Sequence, residues 1–565
     1  MYLGIDVGGT HTDAVALDLS GPGVRVAAAC KVKTRHDDLL ASVREALKTL
    51  LTEVDAAKIR RLNLSTTLST NAIVEGRAED VGVLVVPGPG MDASEYMLCK
   101  DFHILDGAMD HRGNETDRLD PVQCRAAMDA CKRSGVNTFA LVGKFSVRNP
   151  LHENTLRHWL CRAEDGSPCD RADFVTLGHH LGGRLNFPRR VATAYFNCAV
   201  WRLYNTFADA VGKSLDEFGL GHVRVNVLKA DGGTMPLPFS RRMPVQSIFS
   251  GPAASVMGII ALCDIVHDSV ILDIGGTTTD IAVFADGAPL LERAGIAVGS
   301  HPTLVRALRV KSIGVGGDSA VSIIGDMVRV GPRRLGPSMA EGGSHPTLTD
   351  ALNCLGHCAV GDVEASRRGI AAYAESHTIS PEKLAAQAVE AAAATIHDET
   401  RALVEEINDQ PVYTIHELIE DKRIVPRKLY LMGGPAEAMR MPLFGCFRLA
   451  SEVPENYAVA NAIGAALTRT TTDVELFADT QKHIMFLPGL GHHENIPASY
   501  SLKDAERDAM NHLLAHLADL KLASDAQRAE ITHSSSFNMV EGMRTTGRNI
   551  RVKCQIKPGV ERTFS

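Results

Sequence analysis

The chain has 565 residues, of which 45% are hydrophobic and 22% are charged, a composition typical of a folded globular protein rather than a disordered or collagen-like one. Its formal net charge of -8 argues against a general attraction for nucleic acid or for an anionic membrane surface. We therefore expect small molecules or proteins as partners, and at roughly 100–200 residues per domain we expect about three or four folding units.

The longest apolar runs, 81–87 and 256–262, are far shorter than the roughly 18–20 residues that span a bilayer, so we predict no membrane-spanning helix. The first residues, Met1 to Asp6, are typical of a strand and lack the cationic and apolar segments of a signal peptide. The 12 cysteines form no tight framework, which favours a reducing compartment. These features predict a cytoplasmic protein.

Short β-branched runs alternate with longer helical patterns from the start of the chain, and this alternation predicts an α/β architecture. A buried strand is predicted at 2–7, a tight turn at 8–10 and a returning strand at 14–17. Leucine and valine at three- and four-residue spacing predict an amphipathic helix over 37–54. The further predicted strands are 81–87, 138–142, 223–228, 270–274 and 428–432.

An eight-residue segment occurs twice in the chain, at a separation of 267 residues. Asp6 to Asp13 aligns with Asp273 to Asp280, and six of the eight positions are identical. An apolar strand precedes each copy and another follows it. The repeat therefore predicts two related half-domains.

The rest of the chain is predicted to be helical cover and a separate tail. Ser380 and Pro381 are typical of a helix cap and first turn, and they open an alanine-rich helix that we expect to reach about residue 407. From about residue 470 the pattern changes, with a capping box at 501–504 before an amphipathic helix. We predict an N-terminal lobe over 1–185, a second lobe over 186–470 and a small α+β appendage over 471–565.

Each repeat ends a strand in Asp-x-Gly-Gly-Thr, a pattern suited to phosphate binding. Glycine lets consecutive backbone N–H groups approach a phosphate oxygen, and the hydroxyls that follow add donors. A carboxylate at the strand end can hold Mg²⁺ beside the same phosphates, so Asp6 and Asp273 are the candidate metal ligands. The alternative is two ordinary glycine-bearing turns. Two such hairpins that face each other would grip a nucleotide triphosphate through Gly8, Gly9, Thr10, His11, Thr12 and Asp13 on one side and Gly275, Gly276, Thr277 and Thr278 on the other.

A third strand, 429–432, ends in Gly433-Gly434, where a flat ring can lie against bare backbone. We assign this strand end to the adenosine, with a plain turn as the alternative. The small residues of 458–466 predict a helix that a second helix approaches closely, either as a hinge between lobes or as tight packing.

Further segments match one protein family in content and order. They are Leu64 to Ala72, Ser250 to Ala254, Asp273 to Asp280, Gly314 to Gly317 and Pro346 to Ala351. With the first hairpin, Gly433-Gly434 and the small-residue helix, they resemble the hydantoinase A and 5-oxoprolinase family of the actin, sugar kinase and Hsp70 ATPase superfamily. The resemblance covers most of residues 1–360 and implies two duplicated ribonuclease-H-like lobes around a nucleotide cleft.

The resemblance implies ATP-dependent activation and hydrolysis of a cyclic amide of the hydantoin, oxoproline or lactam type. In this family the A component is thought to phosphorylate the amide oxygen with ATP, and a B component completes the reaction. The resemblance thus implies ATP and Mg²⁺ as cofactors and a hydantoinase B-type partner subunit, and it leaves a homo-oligomer open. The implied catalytic residues are Asp6, Asp273 and Asp280. Asp6 and Asp273 are implied to be Mg²⁺ ligands or bases. Asp280, like Asp13, is implied to orient the loops or to contact metal-bound water.

The matching segments also imply where the substrate lies. The polar run from Ser65 to Asn71 lies at a predicted helix start, which suits the binding of a polar ring or a phosphate. Ser250 opens the helix that precedes the second hairpin. Helix capping is the alternative for both. Gly316 and Gly317 join the implied nucleotide-binding set. The implied substrate residues are Ser65, Thr66, Thr67, Asn71 and Ser250.

The chain departs from the family pattern in two motifs, and the region from Gly178 to Arg190 also matches it poorly. Family members commonly carry Asp-Ile-His before the turn at Gly314, a plausible metal-binding pair, whereas this chain has Arg309-Val310-Lys311. The third glycine of that turn is replaced by Asp318. Substrate identity is therefore not carried over from the family.

Two other functions use the same nucleotide cleft. A small-molecule kinase would phosphorylate a hydroxyl and release a stable phosphate ester. A nucleotide-gated regulatory ATPase would turn ATP over slowly without substrate and would switch partner binding.

Overall fold

The computed structural model describes residues 1–21, 23–35, 38–161, 172–183, 185–292, 294–409, 423–520, 522–542 and 544–564. No described helix combines the length and the apolar character needed to cross a bilayer. The α-helices in these ranges are α1 (Leu39–Leu50), α2 (Leu68–Val74), α3 (Pro121–Arg133), α4 (Leu151–Cys161), α5 (Phe187–Ala199), α6 (Trp201–Glu217), α7 (Leu237–Ser240), α8 (Ser250–Leu262), α9 (Leu348–Cys354), α10 (Val363–Glu375), α11 (Pro381–Asn408), α12 (Ala436–Phe447), α13 (Ala460–Leu467) and α14 (Leu502–Asp519).

The strands form several separate sheets. They are β1 (Tyr2–Val7), β2 (His11–Asp18), β3 (Arg25–Lys33), β4 (Arg61–Thr66), β5 (Gly82–Val86), β6 (Phe102–Ile104), β7 (Ala108–Met109), β8 (Glu115–Asp117), β9 (Thr138–Gly143), β10 (Phe174–Leu177), β11 (Arg224–Leu228), β12 (Thr234–Pro236), β13 (Ser269–Ile274), β14 (Thr279–Ala285), β15 (Ala288–Pro289), β16 (Ala297–Val298), β17 (His301–Pro302), β18 (Val310–Ile313), β19 (Ser319–Ile324), β20 (Met327–Arg334), β21 (Lys428–Met432), β22 (Ala450–Glu452), β23 (Asp473–Asp479), β24 (Ile484–Leu487), β25 (His492–Asn495), β26 (Ala529–Glu541) and β27 (Arg544–Ile556).

The first sheet has the order β12-β11-β4-β1-β2-β3. β1, β2 and β3 are antiparallel neighbours, whereas β4 runs parallel to β1 and β11 runs parallel to β4. The returning strand predicted at 14–17 is part of the longer β2. The amphipathic helix predicted over 37–54 is α1, which buries Val43, Leu47 and Leu50 against the sheet core, and residue 37 lies outside the described residues.

The second sheet repeats this arrangement. Its central order is β18-β14-β13-β21-β22, with β13 antiparallel to β14, β14 antiparallel to β18, and β21 and β22 parallel to β13. Asp273 pairs with Asp280 in register, as Asp6 pairs with Asp13 in the first sheet. The predicted pair of duplicated ribonuclease-H-like lobes is therefore confirmed.

A parallel sheet of order β10-β9-β5-β6 is inserted in the chain between β4 and β11 of the first sheet. Helices α3 and α4 cover one face, and α5 covers the other. Because β11 and β12 belong to the first sheet, that sheet crosses the boundary predicted at residue 185.

The C-terminal part forms a five-stranded antiparallel sheet of order β25-β24-β23-β27-β26, covered by α14. The predicted capping box is present, because Asp504 N–H donates to Ser501 Oγ and the Asp504 carboxylate accepts from Ser501 N–H. The predicted α+β character of this part is confirmed, and the positions of the domain boundaries stay a prediction.

Helix α13 lies in the middle of the molecule. A Cβ on Gly4 of β1 would lie 2.7 Å from the Ala466 Cβ, and one on Gly464 would lie 2.8 Å from the Gly258 Cα of α8. The small residues thus let α13 pack directly on the first sheet and on α8, as predicted. A hinge role for this helix stays a prediction.

Candidate functional site

Two turns of the same construction stand at corresponding ends of the two sheets. Gly8 N–H donates to the His11 carbonyl at 3.1 Å, and Gly275 N–H donates to the Thr278 carbonyl at 2.9 Å. The repeated segment therefore folds into the same hydrogen-bonded turn twice.

The two turns lie against each other. A Cβ on Gly276 would lie 2.9 Å from Thr10 Oγ1 and 3.4 Å from Asp318 Oδ2. His11 is half-buried, and burial and then Lys31 lower its pKa, with weaker effects from Glu341 and Arg334 of the second lobe. The structure thus brings the predicted nucleotide residues of both lobes to one place.

Thr12 departs from its predicted role. Its side chain is fully buried, and its hydroxyl shares a 2.9 Å hydrogen bond with the Thr34 hydroxyl of the neighbouring chain segment. Thr10 and Thr277 are partly exposed and Thr278 is exposed, so these three hydroxyls are the ones available to a phosphate.

Asp6 is the buried carboxylate at the end of β1. It is 5% exposed, and its Oδ1 has no hydrogen-bond partner among the described residues. Burial raises the pKa of Asp6 to about 7, and the neighbouring polar side chains of Ser65 and Asn461 oppose this rise. A buried carboxylate oxygen without a partner is costly, and a hard cation is a suitable partner for it.

Asp273 has the corresponding position in the second lobe but is held differently. Its Oδ2 accepts a 2.5 Å hydrogen bond from Ser255 Oγ of α8 and a 3.3 Å bond from Asn461 Nδ2 of α13. Burial raises the pKa of Asp273, and these two donors lower it. Because Asn461 influences both Asp6 and Asp273, it links the two carboxylates across the lobes.

Of the second carboxylates of the two hairpins, Asp13 is buried and Asp280 is half-buried. Burial raises the pKa of Asp13, and Lys31, whose Nζ lies 3.0 Å from Asp13 Oδ1, opposes this. Burial and then the charge of Asp273 raise the pKa of Asp280 to about 7, with Ser312 opposing. The site thus concentrates four carboxylates whose charged forms are disfavoured by the protein alone.

Gly316 and Gly317 brace the second hairpin. Gly317 N–H donates to the Gly275 carbonyl at 2.9 Å, and Gly316 N–H donates to Ser319 Oγ at 2.8 Å. A Cβ on Gly316 would lie 2.7 Å from the Gly275 carbonyl oxygen. Both amides are therefore engaged within the protein, and contact of these glycines with a nucleotide stays a prediction.

The two departures from the family pattern have partners in this chain. Asp318 pairs with Arg334 at 2.9 Å, and its backbone N–H donates to the Gly276 carbonyl at 2.6 Å. Arg309 and Lys311 form ion pairs with Glu406 and Glu399 of α11 at 2.7 Å and 2.6 Å. These two ion pairs join the start of β18 to α11.

Gly433 and Gly434 follow β21, which runs parallel to β13, so they lie at the same sheet edge as Asp273. Gly433 has a φ of 89°, and a Cβ there would lie 2.7 Å from Asp273 Oδ1. A Cβ on Gly434 would have no atom of the described residues within 4 Å, apart from its chain neighbours. Gly433 is thus required by the fold, and Gly434 leaves the open surface that the adenosine assignment needs.

The predicted substrate residues connect β1, β4, α2 and α8. Ser250 Oγ donates to the Thr66 carbonyl at 3.0 Å, Thr67 Oγ1 donates to the Val7 carbonyl at 3.3 Å, and Asn71 Nδ2 donates to Thr67 Oγ1 at 3.3 Å. These contacts fix the strand ends, and neither Thr67 nor Ser250 caps its helix through its side chain, so the capping alternative is wrong for both and a substrate role stays a prediction. Ser65 differs, because its Oγ is buried beside Asp6 without a partner among the described residues.

A polar cavity of about 110 Å³ lies beyond the carboxyl end of β11. Its buried Lys229 and Asp231 pair at 3.3 Å, and on the C-terminal sheet Lys553 pairs with Asp473 at 2.7 Å. The strands β11, β4 and β1 are parallel neighbours, so this cavity lies at the sheet edge of Asp6, about two strand spacings or ~10 Å away. This cavity was not predicted from the sequence, although Lys229-Ala230-Asp231-Gly232-Gly233 follows a predicted strand.

The family model described as hydantoinase/oxoprolinase matches residues 190–474, and the one described as the hydantoinase/oxoprolinase N-terminal region matches residues 2–163. The chain belongs to the hydantoinase/oxoprolinase family. Caprolactamase subunit alpha of Pseudomonas jessenii is 28% identical over 395 residues, which are 64% of this chain and 55% of that protein. The 5-oxoprolinase of Saccharomyces cerevisiae is 23% identical over 427 residues, which are 63% of this chain and 31% of that protein.

Two solved structures share the fold of this hydantoinase/oxoprolinase family member. The ATP-dependent caprolactamase of Pseudomonas jessenii has a TM-score of 0.68 at 19% identity, over 98% of this chain and 87% of that chain. Nucleotide-free acetone carboxylase has a TM-score of 0.68 at 16% identity, over 99% and 87%. In sequence, the chain spans about half or less of the length of the curated relatives it matches, at 55%, 56% and 31%.

Proposed function

We propose that this protein uses ATP to activate a cyclic amide by transfer of a phosphoryl group to the amide oxygen. The observation that carries the proposal is the pair of adjoining hairpins, which combine a buried Asp6 oxygen without a partner among the described residues with the partly exposed hydroxyls of Thr10 and Thr277. The family membership and the names of the relatives, a caprolactamase and a 5-oxoprolinase, support a cyclic amide as the substrate.

ATP is proposed to lie between the lobes. The hydroxyls of Thr10, Thr277 and Thr278 donate to the phosphates, and the open surface at Gly434 receives the adenosine. Asp6 and Asp273 are the residues that would hold Mg²⁺, which when bound neutralises phosphate charge. The oxygen-only donor set and the orphaned Asp6 Oδ1 fit this hard cation.

The cyclic amide is proposed to occupy the cavity beyond β11. Lys229 and Arg306 line it as cations and Asp231 lines it as a carboxylate, so it offers partners for both an amide carbonyl and an amide N–H. Its place on the sheet edge of Asp6 keeps the amide on the phosphate side of the first lobe.

The chemistry requires positioning more than covalent help from the protein. The amide oxygen forms a bond to the γ-phosphorus as the bond from that phosphorus to the β–γ bridging oxygen breaks, and ADP leaves. Water then adds to the activated carbon, and the ring C–N bond breaks as a proton passes to the departing nitrogen, which leaves an acyl phosphate. A second water adds to the acyl carbon, and inorganic phosphate departs with the former amide oxygen. We assign this second stage to a B-type partner subunit, because the relatives named as subunits belong to assemblies.

The test is ADP release by the purified chain with Mg²⁺-ATP and a panel of hydantoin, 5-oxoproline, caprolactam and polyols. Stimulation by a cyclic amide, lost in Lys229→Met, supports the proposal. Stimulation by a polyol with a phosphate ester as product indicates a kinase, and slow turnover that no compound changes indicates a regulatory ATPase. Either of these two results overturns the proposal.

A further inference from the structure

Three potential metal ligands meet on the inserted parallel sheet, away from the nucleotide site. They are a carboxylate oxygen of Asp101, a ring nitrogen of His103 and the Sγ of Cys131, and all three atoms lie within 4.8 Å of one another. Asp101 and His103 belong to the segment that enters and forms β6, and Cys131 lies on α3.

The sequence places these side chains together by simple strand geometry. Asp101 and His103 are two residues apart where the chain enters β6, a spacing that directs side chains of an extended chain to one face. β6 pairs with β5 so that Phe102 lies opposite Val83, which sets Asp101 beside Gly82. A Cβ on Gly82 would lie 3.0 Å from Cys131 Sγ, so glycine there leaves room for the thiol to reach this face.

The polar atoms of this cluster lack partners. Asp101 is 7% exposed, and its buried Oδ2 accepts no hydrogen bond within the described part of the chain. The same holds for the buried Nε2 of His103. Leaving such groups unpaired costs roughly 1–3 kcal/mol each. Two unpaired atoms that face one thiol are the arrangement that a bound cation would satisfy.

We propose that Asp101, His103 and Cys131 bind one Zn²⁺ ion. Nitrogen, sulfur and carboxylate oxygen are the donors that zinc takes in proteins, whereas Mg²⁺ and Ca²⁺ prefer oxygen alone. One carboxylate and one thiolate balance the charge of the ion, which suits a buried site. The ion would tie α3 to β6.

Zinc binding requires the thiolate form of Cys131, which the metal-free protein disfavours. Burial, then the neighbouring Asp101 carboxylate and Cys99, raises the pKa of Cys131 to about 12. The Cys131 thiol therefore keeps its proton in the metal-free protein. As the zinc–sulfur bond forms, that proton is released to solvent.

The test is the metal content of the full chain after saturation with Zn²⁺ and removal of free metal, read by mass spectrometry, together with the absorption spectrum of the Co²⁺-loaded protein. We expect one zinc per chain and a thiolate-to-cobalt charge-transfer band. Both are expected to be lost in Cys131→Ser and His103→Gln. Both are expected to persist in Cys124→Ser, since Cys124 is an equally buried thiol on the same helix.

The wild-type measurements do not depend on whether a variant folds. Wild-type protein that holds no zinc and gives no charge-transfer band overturns the proposal. So does zinc retained by both ligand variants. Zinc chelation is expected to lower the Tm of the wild type and of Cys124→Ser, and to leave the Tm of His103→Gln unchanged, whereas an unchanged wild-type Tm contradicts a structural zinc.

Discussion

The two copies of the hairpin have nearly the same sequence but different surroundings. In the second copy, the Asp273 carboxylate accepts from Ser255 and Asn461. In the first copy, Oδ1 of the corresponding Asp6 is buried without a partner in the described chain. The duplicated backbone therefore supports two unequal carboxylates.

The difference extends to the turns. The carbonyls of Gly275 and Gly276 accept backbone hydrogen bonds from Gly317 and Asp318, so the second turn is braced by its own lobe. In the first turn, the Thr10 carbonyl accepts a 3.0 Å backbone hydrogen bond from Thr34 N–H. Backbone bonds from its own lobe thus hold each turn, and the first hairpin carries the carboxylate that we propose a cation completes.

Asp6→Asn is the change that most directly breaks the asymmetry. It removes the charge for which the protein offers no partner other than a cation, so we expect kcat for ADP release to fall by about 10²–10³-fold, the size typical of losing a charge-stabilising group. A steady-state assay measures kcat, and isothermal titration measures the affinity for Mg²⁺-ATP. The matched control is the exposed Asp326→Asn, which is expected to leave both unchanged.

Gly433→Ala tests how tightly the second side is built. The added Cβ meets Asp273 Oδ1 at a φ of 89°, so we expect a loss of about 2 kcal/mol in the free energy of unfolding. Gly434→Ala, where nothing lies within 4 Å, is the control for chemical denaturation. Equal effects of the two changes would contradict the described packing.

Asp273→Asn sharpens the comparison, because asparagine keeps a side-chain oxygen that Ser255 and Asn461 can bind. We expect about a tenfold fall in kcat, smaller than for Asp6→Asn. Losses of equal size for the two variants would mean that both carboxylates do the same work.

The pH dependence should follow Asp6, whose pKa burial raises to about 7. Cation binding needs the deprotonated form, so affinity for Mg²⁺-ATP should fall by about threefold between pH 7.5 and pH 6.5. The folding stability of the nucleotide-free protein depends on pH in the opposite direction. The folded state binds this proton more tightly than the unfolded state, so its contribution to stability is lost as pH rises through about 7. Titration calorimetry and thermal melts at both pH values measure the two effects, and no change in affinity would contradict them.

Sequence alone predicted what depends on local pattern. The repeated Asp-x-Gly-Gly-Thr segment predicted both turns, because a glycine turn between apolar strands determines its own hydrogen bonds. The resemblance implied the two duplicated ribonuclease-H-like lobes, and the structure shows their strand orders. The capping box at Ser501 was confirmed for the same local reason.

Contacts between distant parts of the chain could not be predicted in this way. Asn461 is 188 residues from Asp273, and nothing in its neighbourhood of alanines indicates that it bonds a carboxylate. The engagement of the Gly317 amide and the burial of Thr12 depend likewise on neighbours brought in by the fold. The cavity at Lys229 and Asp231 exists only where the first sheet meets the C-terminal sheet.

The central claim is that the phosphoryl group passes to the amide oxygen, and isotope transfer tests it most directly. The protein, with its partner subunit where ring opening requires one, is given Mg²⁺-ATP and a cyclic amide labelled with ¹⁸O at the carbonyl, and the released phosphate is analysed by mass spectrometry. The account predicts one labelled oxygen in the phosphate for each ring opened. Unlabelled phosphate, with all the label retained in the opened product, would contradict it.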